Sequence, residues 1–193
     1  MEKKLFIPIL LGTMRQGRES EKVAHLLLER AREHPEIETM LFDTCEMNLS
    51  IDDEGQALKE KNQEYRDAII RADGLIIVAP EYNHGYPGSL KMALDMLLKE
   101  YIHKAVAICG VSAGGFGGTR MIEQLVGVVR ELGLQVTFAD LTFSKVREAF
   151  DSQGNLKDES YHKRIDVFLE ELVWMAKTLR WGRENIPSKY HKI

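Results

Sequence analysis

Residues 5–20 read "LFIPILLGTMRQGRES". The first part, Leu5–Leu11, is an apolar run of strand length. Gly12 ends it. From Ser20 to Glu33 the apolar spacing becomes that of a helix, with Val23, Leu26, Leu27 and Arg30 along one side. A strand leaving through a polar loop into an amphipathic helix is the opening of a βαβ unit. The pattern then repeats. Strand-like runs recur at Ile37–Phe42, Gly74–Ala79, Ala105–Val111 and Leu134–Leu141. Helical stretches follow at Gln56–Ala72, Ser89–Lys99, Thr119–Leu132 and Asp158–Arg180. Five strands alternating with five helices predict an α/β fold, a doubly wound five-stranded parallel sheet in the order 2-1-3-4-5. Residues 1–193 are expected to form one domain. Pro8 cannot donate to a ladder, so it is expected near the start of its strand, where a neighbour does not pair. "FDSQGNLKD" (150–158) reads as a loop or hairpin before the last helix.

Hydrophobic residues make up 44% and charged residues 29%, the profile of a soluble globular chain. A net charge of −4 offers no global attraction for nucleic acid or an anionic membrane. No apolar run reaches the roughly 18 residues of a membrane span. Cys45 and Cys109 have no metal-ligand spacing, and no metal is expected. Cys109 lies in an apolar run and reads as a small buried hydrophobe, which suits a reducing cytoplasm. The opening "MEKKLFIPILLG" resembles a short signal peptide, but no A-x-A site follows and cleavage would remove the first strand. The expected location is cytoplasmic.

Open α/β sheets bind ligands beyond the carboxyl ends of their strands. The informative loops are therefore "GTMRQGRES" (12–20), "PEYNHGYPG" (80–88) and "SAGGFGG" (112–118). The first gathers the hydroxyls of Thr13 and Ser20 and the planar forks of Arg15 and Arg18 at a helix N-terminus. Unpaired amides and the helix dipole favour an anion there, and a phosphomonoester suits the donors. G-x-x-x-x-G-K-[ST] is absent, and "GGFGG" is not followed by a ribose-binding acid on the next strand. The second loop is aromatic and stiffened by two prolines. The third has almost no side chains and admits a flat ligand against its backbone. Together they describe a slot for a phosphorylated planar heterocycle. No nucleophile or triad is visible, so no side chain is assigned as the catalytic group.

In this order, "GTMRQGRES", "PEYNHGYPGSLKMALD" and "GVSAGGFGGTR" resemble the NAD(P)H-dependent FMN reductase family, over most of the first 140 residues. That family includes quinone, azo-dye and chromate reductases. The resemblance implies a flavodoxin-like fold with FMN as cofactor. NADPH or NADH would reduce it, and a small flat acceptor (quinone, azo compound, flavin or chromate) would reoxidise it in ping-pong exchange. It implies that Thr13, Arg15, Arg18 and Ser20 hold the FMN phosphate. Pro80, Glu81, Tyr82 and Asn83 would line the isoalloxazine edge, Glu81 through its backbone, and Ser112, Gly114 and Gly115 the opposite wall. His84 and Tyr86 would shape the substrate side. Met92 stands where many relatives have asparagine, and Arg18 and Glu19 where others have Ser and Asn. Which of Arg18 and Ser20 reaches the phosphate is therefore open. The resemblance also points to a homodimer or homotetramer.

Two helices carry a second stripe. In Ser89–Lys99, Leu90, Ala93, Leu94, Leu97 and Leu98 form one side, with Met92 and Met96 almost opposite. In the last helix Val167, Trp174 and Trp181 recur at seven-residue intervals away from the core stripe. A second apolar stripe suggests an interface with another copy; the alternative is that the basic tail folds back over Trp174. The rival functional reading is a flavodoxin-type electron carrier without NAD(P)H reductase activity of its own. Its phosphate loop is usually rich in Thr and Gly and lacks arginine. A phosphoacceptor receiver domain would need a carboxylate cluster that Gly12 and Pro80-Glu81 do not supply.

Overall fold

The computed structural model describes residues 3–49 and 56–191. The first strand is broken at Pro8 into β1 (Leu5–Phe6) and β2 (Ile9–Leu11). The proline thus sits in mid-strand and not near its start. The amides of Leu5, Ile7 and Ile9 face one neighbour, bonding the carbonyls of Glu36, Glu38 and Met40 at 2.8, 2.9 and 2.8 Å. On the other side the carbonyls of Phe6 and Pro8 accept from the amides of Asp73 and Ile76 at 2.8 and 3.0 Å. Pro8 loses one donor and keeps its acceptor, so the register survives on both sides. The second strand is split in step, into β3 (Ile37–Glu38) and β4 (Leu41–Asp43). Between the halves the Thr39 hydroxyl donates to the Ile7 carbonyl at 2.7 Å.

The third and fourth strands, β5 (Gly74–Pro80) and β6 (Ala105–Val111), are continuous and pair in parallel along their whole length. The fifth is β7 (Gln135–Val136) followed by β8 (Leu141–Phe143). Val106 pairs with Val136 and Cys109 with Leu141, so three steps along β6 match five along the last strand. The two extra residues bulge outward, and Phe138 is 93% exposed. The bulge carries β8 past Leu141, the expected end, to where the Phe143 carbonyl takes the Ser112 amide at 2.9 Å. Strand neighbours follow the order 2-1-3-4-5, all parallel.

The helices are α1 (Ser20–Glu33), α2 (Gln56–Lys61), α3 (Gln63–Arg71), α4 (Gly88–Asp95), α5 (Thr119–Glu131), α6 (Val146–Ala149) and α7 (Ser160–Asn185). Alternate strand residues feed two cores. Ile7, Ile9, Leu11, Ile76, Val78 and Cys109 pack under α1 and α7. Phe6, Leu10, Leu75, Ile77 and Ile108 pack under α3, α4 and α5. Burial on both faces is why the strands read as continuous apolar runs. Each such side chain contributes about 1.5–3 kcal/mol. Cys109 lies inside the first core, where burial pushes its thiol pKa up.

Two expected helices change at specific residues. The stretch from Gln56 is two helices, because the Asn62 side chain pairs with both backbone groups of Asn48, at 3.0 and 2.9 Å. The helix beginning at Gly88 stops at Asp95, so its phase does not continue. Met96 is buried while Leu98 is exposed, reversing the expected sides and removing Met96 from any outer stripe. "FDSQGNLKD" is a hairpin, with Phe150 bridged antiparallel to Leu156. Trp174 and Trp181 are 62% and 61% exposed, so no described part of the tail covers Trp174. Among the described residues no helix is long and apolar enough to cross a membrane.

At the N-terminal edge of the sheet a buried carboxylate fastens α7. Asp73 accepts from Arg180 at 3.0 and 2.9 Å, from Arg183 at 2.8 Å and from the Phe6 amide at 3.0 Å. Beside it the buried Lys104 ammonium donates to the Ile70 carbonyl at 2.8 Å and to that of Ile69, closing the C-terminal end of α3.

Candidate functional site

The loops after β2, β5 and β6 meet at the carboxyl edge of the sheet. They border a cleft of about 180 Å³ whose lining includes Arg15, Ser20, Pro80, Tyr82, Ser112 and Arg147. Thr13, 1% exposed, ties the first loop to the second: its Oγ1 lies 2.8 Å from the Tyr82 hydroxyl. Arg15 is exposed and lays its guanidinium 3.9 Å over the Tyr82 ring.

Arg18 and Ser20 separate clearly. The Arg18 side chain, 8% exposed, pairs with Asp43, donates to the Thr13 carbonyl and the Cys45 sulfur, and lies 3.6 Å from Glu21. Its donors hold the loop to the end of β4. Ser20 is also buried, yet its Oγ has no hydrogen-bond partner among the described residues. Glu19 precedes α1 without a side-chain bond to the helix's backbone amides; its carboxylate takes the Lys22 ammonium at 2.9 Å. The helix N-terminus therefore presents uncapped amides and an unpartnered hydroxyl, the arrangement an anion satisfies.

In the second loop Tyr82 and Gly85 exchange backbone hydrogen bonds at 2.9 and 3.0 Å. Between them Asn83 and His84 have φ of 49° and 67°. Left-handed conformation at both central residues is the signature of a tight two-residue turn. Pro80, the last residue of β5, is buried. The Glu81 amide bonds the Val111 carbonyl at 3.0 Å, so its backbone donor is engaged in the sheet. One of its carboxylate oxygens pairs with Arg120, and the other is buried without a hydrogen-bond partner among the described residues. Tyr86 and Met92 are half-buried against the core under α4.

In the third loop the Ser112 hydroxyl donates to the Gly114 carbonyl at 2.8 Å and accepts from the Gly117 amide at 2.9 Å. The glycines divide by role. At Gly114 and Gly115 an added Cβ would meet nothing within 4 Å, leaving room for a ligand. Gly117, at φ +64°, would bring a Cβ to 2.7 Å from Thr142, so the fold itself requires it.

Sequence reasoning passed over Arg120 and Arg147. Arg147 comes from α6 on the cleft rim. Arg120 stands in the first turn of α5 and reaches Glu81, His84 and Phe116. A cation in the first turn opposes the helix dipole, and that was the available signal.

The model of a family described as NADPH-dependent FMN reductase matches residues 7–148. The chain is 28% identical over 173 residues to a 2-hydroxy-1,4-benzoquinone reductase from Burkholderia sp., covering 86% of this chain and 93% of that one. It is 28% identical over 177 residues to an FMN-dependent NADPH-azoreductase from Staphylococcus aureus, covering 86% and 92%. Its fold is similar to that of FerB, a flavoenzyme NAD(P)H:(acceptor) oxidoreductase from Paracoccus denitrificans, with a TM-score of 0.76 at 22% identity, covering 90% and 98%. With three-quarters of its length matched by one family model and the flavodoxin-like sheet beneath the matching loops, this chain belongs to the NADPH-dependent FMN reductase family.

Proposed function

We propose that the three-loop cleft is the FMN site of an NAD(P)H-dependent reductase whose acceptors are small flat molecules of the quinone or azo class. The unpartnered Ser20 hydroxyl at the uncapped start of α1, next to Thr13 and Arg15, carries the reading. Thr13, Arg15 and Ser20 hold the phosphate, while Arg18 braces their loop from Asp43. The unpartnered Glu81 oxygen and the Asn83 backbone serve the edge of the ring, alongside Pro80 and Tyr82. Ser112 holds the Gly114–Gly115 wall open. His84 and Tyr86 bound the substrate side, where His84 Nε2 accepts from Arg120 at 2.6 Å. When bound, the flavin supplies the two-electron chemistry between reduced nicotinamide and acceptor. The protein's part is to orient the ring, neutralise the phosphate and leave one face open to donor and acceptor in turn.

The whole chain acts as one flavin-binding domain in the cytoplasm. It self-associates as a homodimer or homotetramer through the Val167–Trp174–Trp181 face of α7, three exposed apolar side chains at seven-residue intervals. Purified protein should show flavin absorbance, or acquire it on titration with FMN. It should also consume NADPH or NADH continuously with a quinone present. Failure to bind FMN would remove the site. Binding without NAD(P)H turnover would favour an electron carrier.

A further inference from the structure

The first turn of α5 grips the turn after β5. Arg120 forms an ion pair with Glu81 and donates to His84 Nε2 at 2.6 Å. Its guanidinium also lies 4.6 Å from the ring of Phe116, which belongs to the glycine-rich loop and is 65% exposed. One helical turn on, a Cβ added at Gly85 would come within 3.1 Å of Gln124 Oε1. Residues four apart share a helix face, so Arg120 and Gln124 face the same tight turn, with Arg120 supplying the bonds to it. The Glu81 side chain is 6% exposed. Glu81 is therefore a nearly buried charge balanced, among the described residues, by one cation that also touches the opposite loop.

We propose that Arg120 is a positioning residue: it fastens the Tyr82–Gly85 turn to the glycine-rich loop and so fixes the width of the slot between them. The proposal rests on the flavin reading of the cleft. An arginine suits the task because its planar fork serves a carboxylate and an imidazole nitrogen at once while its face stacks on an aromatic ring. A lysine can supply the charge but not all three contacts. Arg120 thereby acts on the ring-side turn, through Glu81, His84 and Phe116, and its contacts among the described residues include none of Thr13, Arg15 and Ser20.

The test compares FMN with riboflavin, which has the ring and lacks the phosphate, by quenching of flavin fluorescence. Arg120→Gln should raise both dissociation constants by the same factor, roughly tenfold, and Arg120→Lys by a smaller common factor. Ser20→Ala should weaken FMN alone. Unchanged affinity in Arg120→Gln, or a loss for FMN without a loss for riboflavin, overturns the proposal. If Arg120→Gln does not fold, the same comparison in Arg120→Lys decides. Wild-type protein that binds neither flavin refutes the cofactor site itself, a result distinct from failure of the clamp.

Discussion

Thr13 Oγ1 and the Tyr82 hydroxyl stand 2.8 Å apart and join the phosphate-side loop to the ring-side loop. Tyr82→Phe keeps the ring beneath Arg15 and removes only this bond. Leaving a buried hydroxyl without its partner costs about 1–3 kcal/mol. The melting temperature should fall, and the FMN dissociation constant should rise by up to about tenfold. Thermal melts and flavin titrations check both, and a variant indistinguishable from wild type would mean that the two loops are held independently of this bond.

The two first-loop arginines should behave differently. Arg15 is exposed and ion-pairs with no carboxylate among the described residues, so Arg15→Ala should leave stability near wild type. Losing a charge-assisted contact to phosphate, about 1.5–3 kcal/mol, should weaken FMN binding at least tenfold. Arg18→Ala strands the Asp43 carboxylate, 14% exposed, and should cost up to about 3 kcal/mol of stability. Denaturant unfolding of the flavin-free proteins separates the two.

The glycines of the third loop make a second contrast. Gly117→Ala forces a Cβ against Thr142 at a left-handed backbone position and should lower the melting temperature by several degrees. Gly114→Ala meets open space and should fold normally. Its methyl group enters the wall proposed for the ring, so weaker flavin binding without loss of stability is expected.

Lys104 should impose a pH slope. Burial pushes its pKa from the ordinary 10.5 down to about 7, with Arg183 adding to the effect and Asp73 and Glu100 opposing it. Between those values the unfolded chain binds a proton that the folded chain does not. This contribution to stability therefore rises with pH from about 7 to 10.5, and the burial penalty is full below 7. Burial raises the pKa of Tyr65, Tyr101 and Cys109, which bends the curve the other way at high pH, but equally in wild type and Lys104→Met. The stability of wild type relative to Lys104→Met should grow between pH 6 and 9, as measured by urea unfolding. A constant difference would contradict the shift.

The exposed tryptophans test self-association. Trp174→Asp should shift the sedimentation coefficient to that of a monomer at micromolar concentration. Wild-type tryptophan emission should move to the red on dilution. A monomeric wild type removes the interface on α7.

The alternation of strands and helices was legible because it records burial residue by residue. Leu5–Leu11 and Ala105–Val111 are apolar along their length since both faces are covered, and Ser20–Glu33 is striped since one face is. Topology then sends the loops after the first, third and fourth strands to one edge, so the cleft was readable before any contact was known. Local pattern failed where a distant partner intervened. Asn48 broke the helix at Asn62, and the end of α4 at Asp95 put Met96 inside.

Local pattern along the chain specifies the sheet, its strand order and the chemical character of the three loops. Packing in space settles which donors remain free. Arg18 and Ser20 are equally plausible phosphate ligands in one dimension, but Arg18 meets Asp43, twenty-five positions away, while the Ser20 hydroxyl has no hydrogen-bond partner among the described residues. Arg120 likewise acquires its role from His84, thirty-six positions back. Hydrophobic periodicity is a property of neighbours along the chain. Charge pairing is a property of neighbours in space, and it settles which polar groups are left for a ligand.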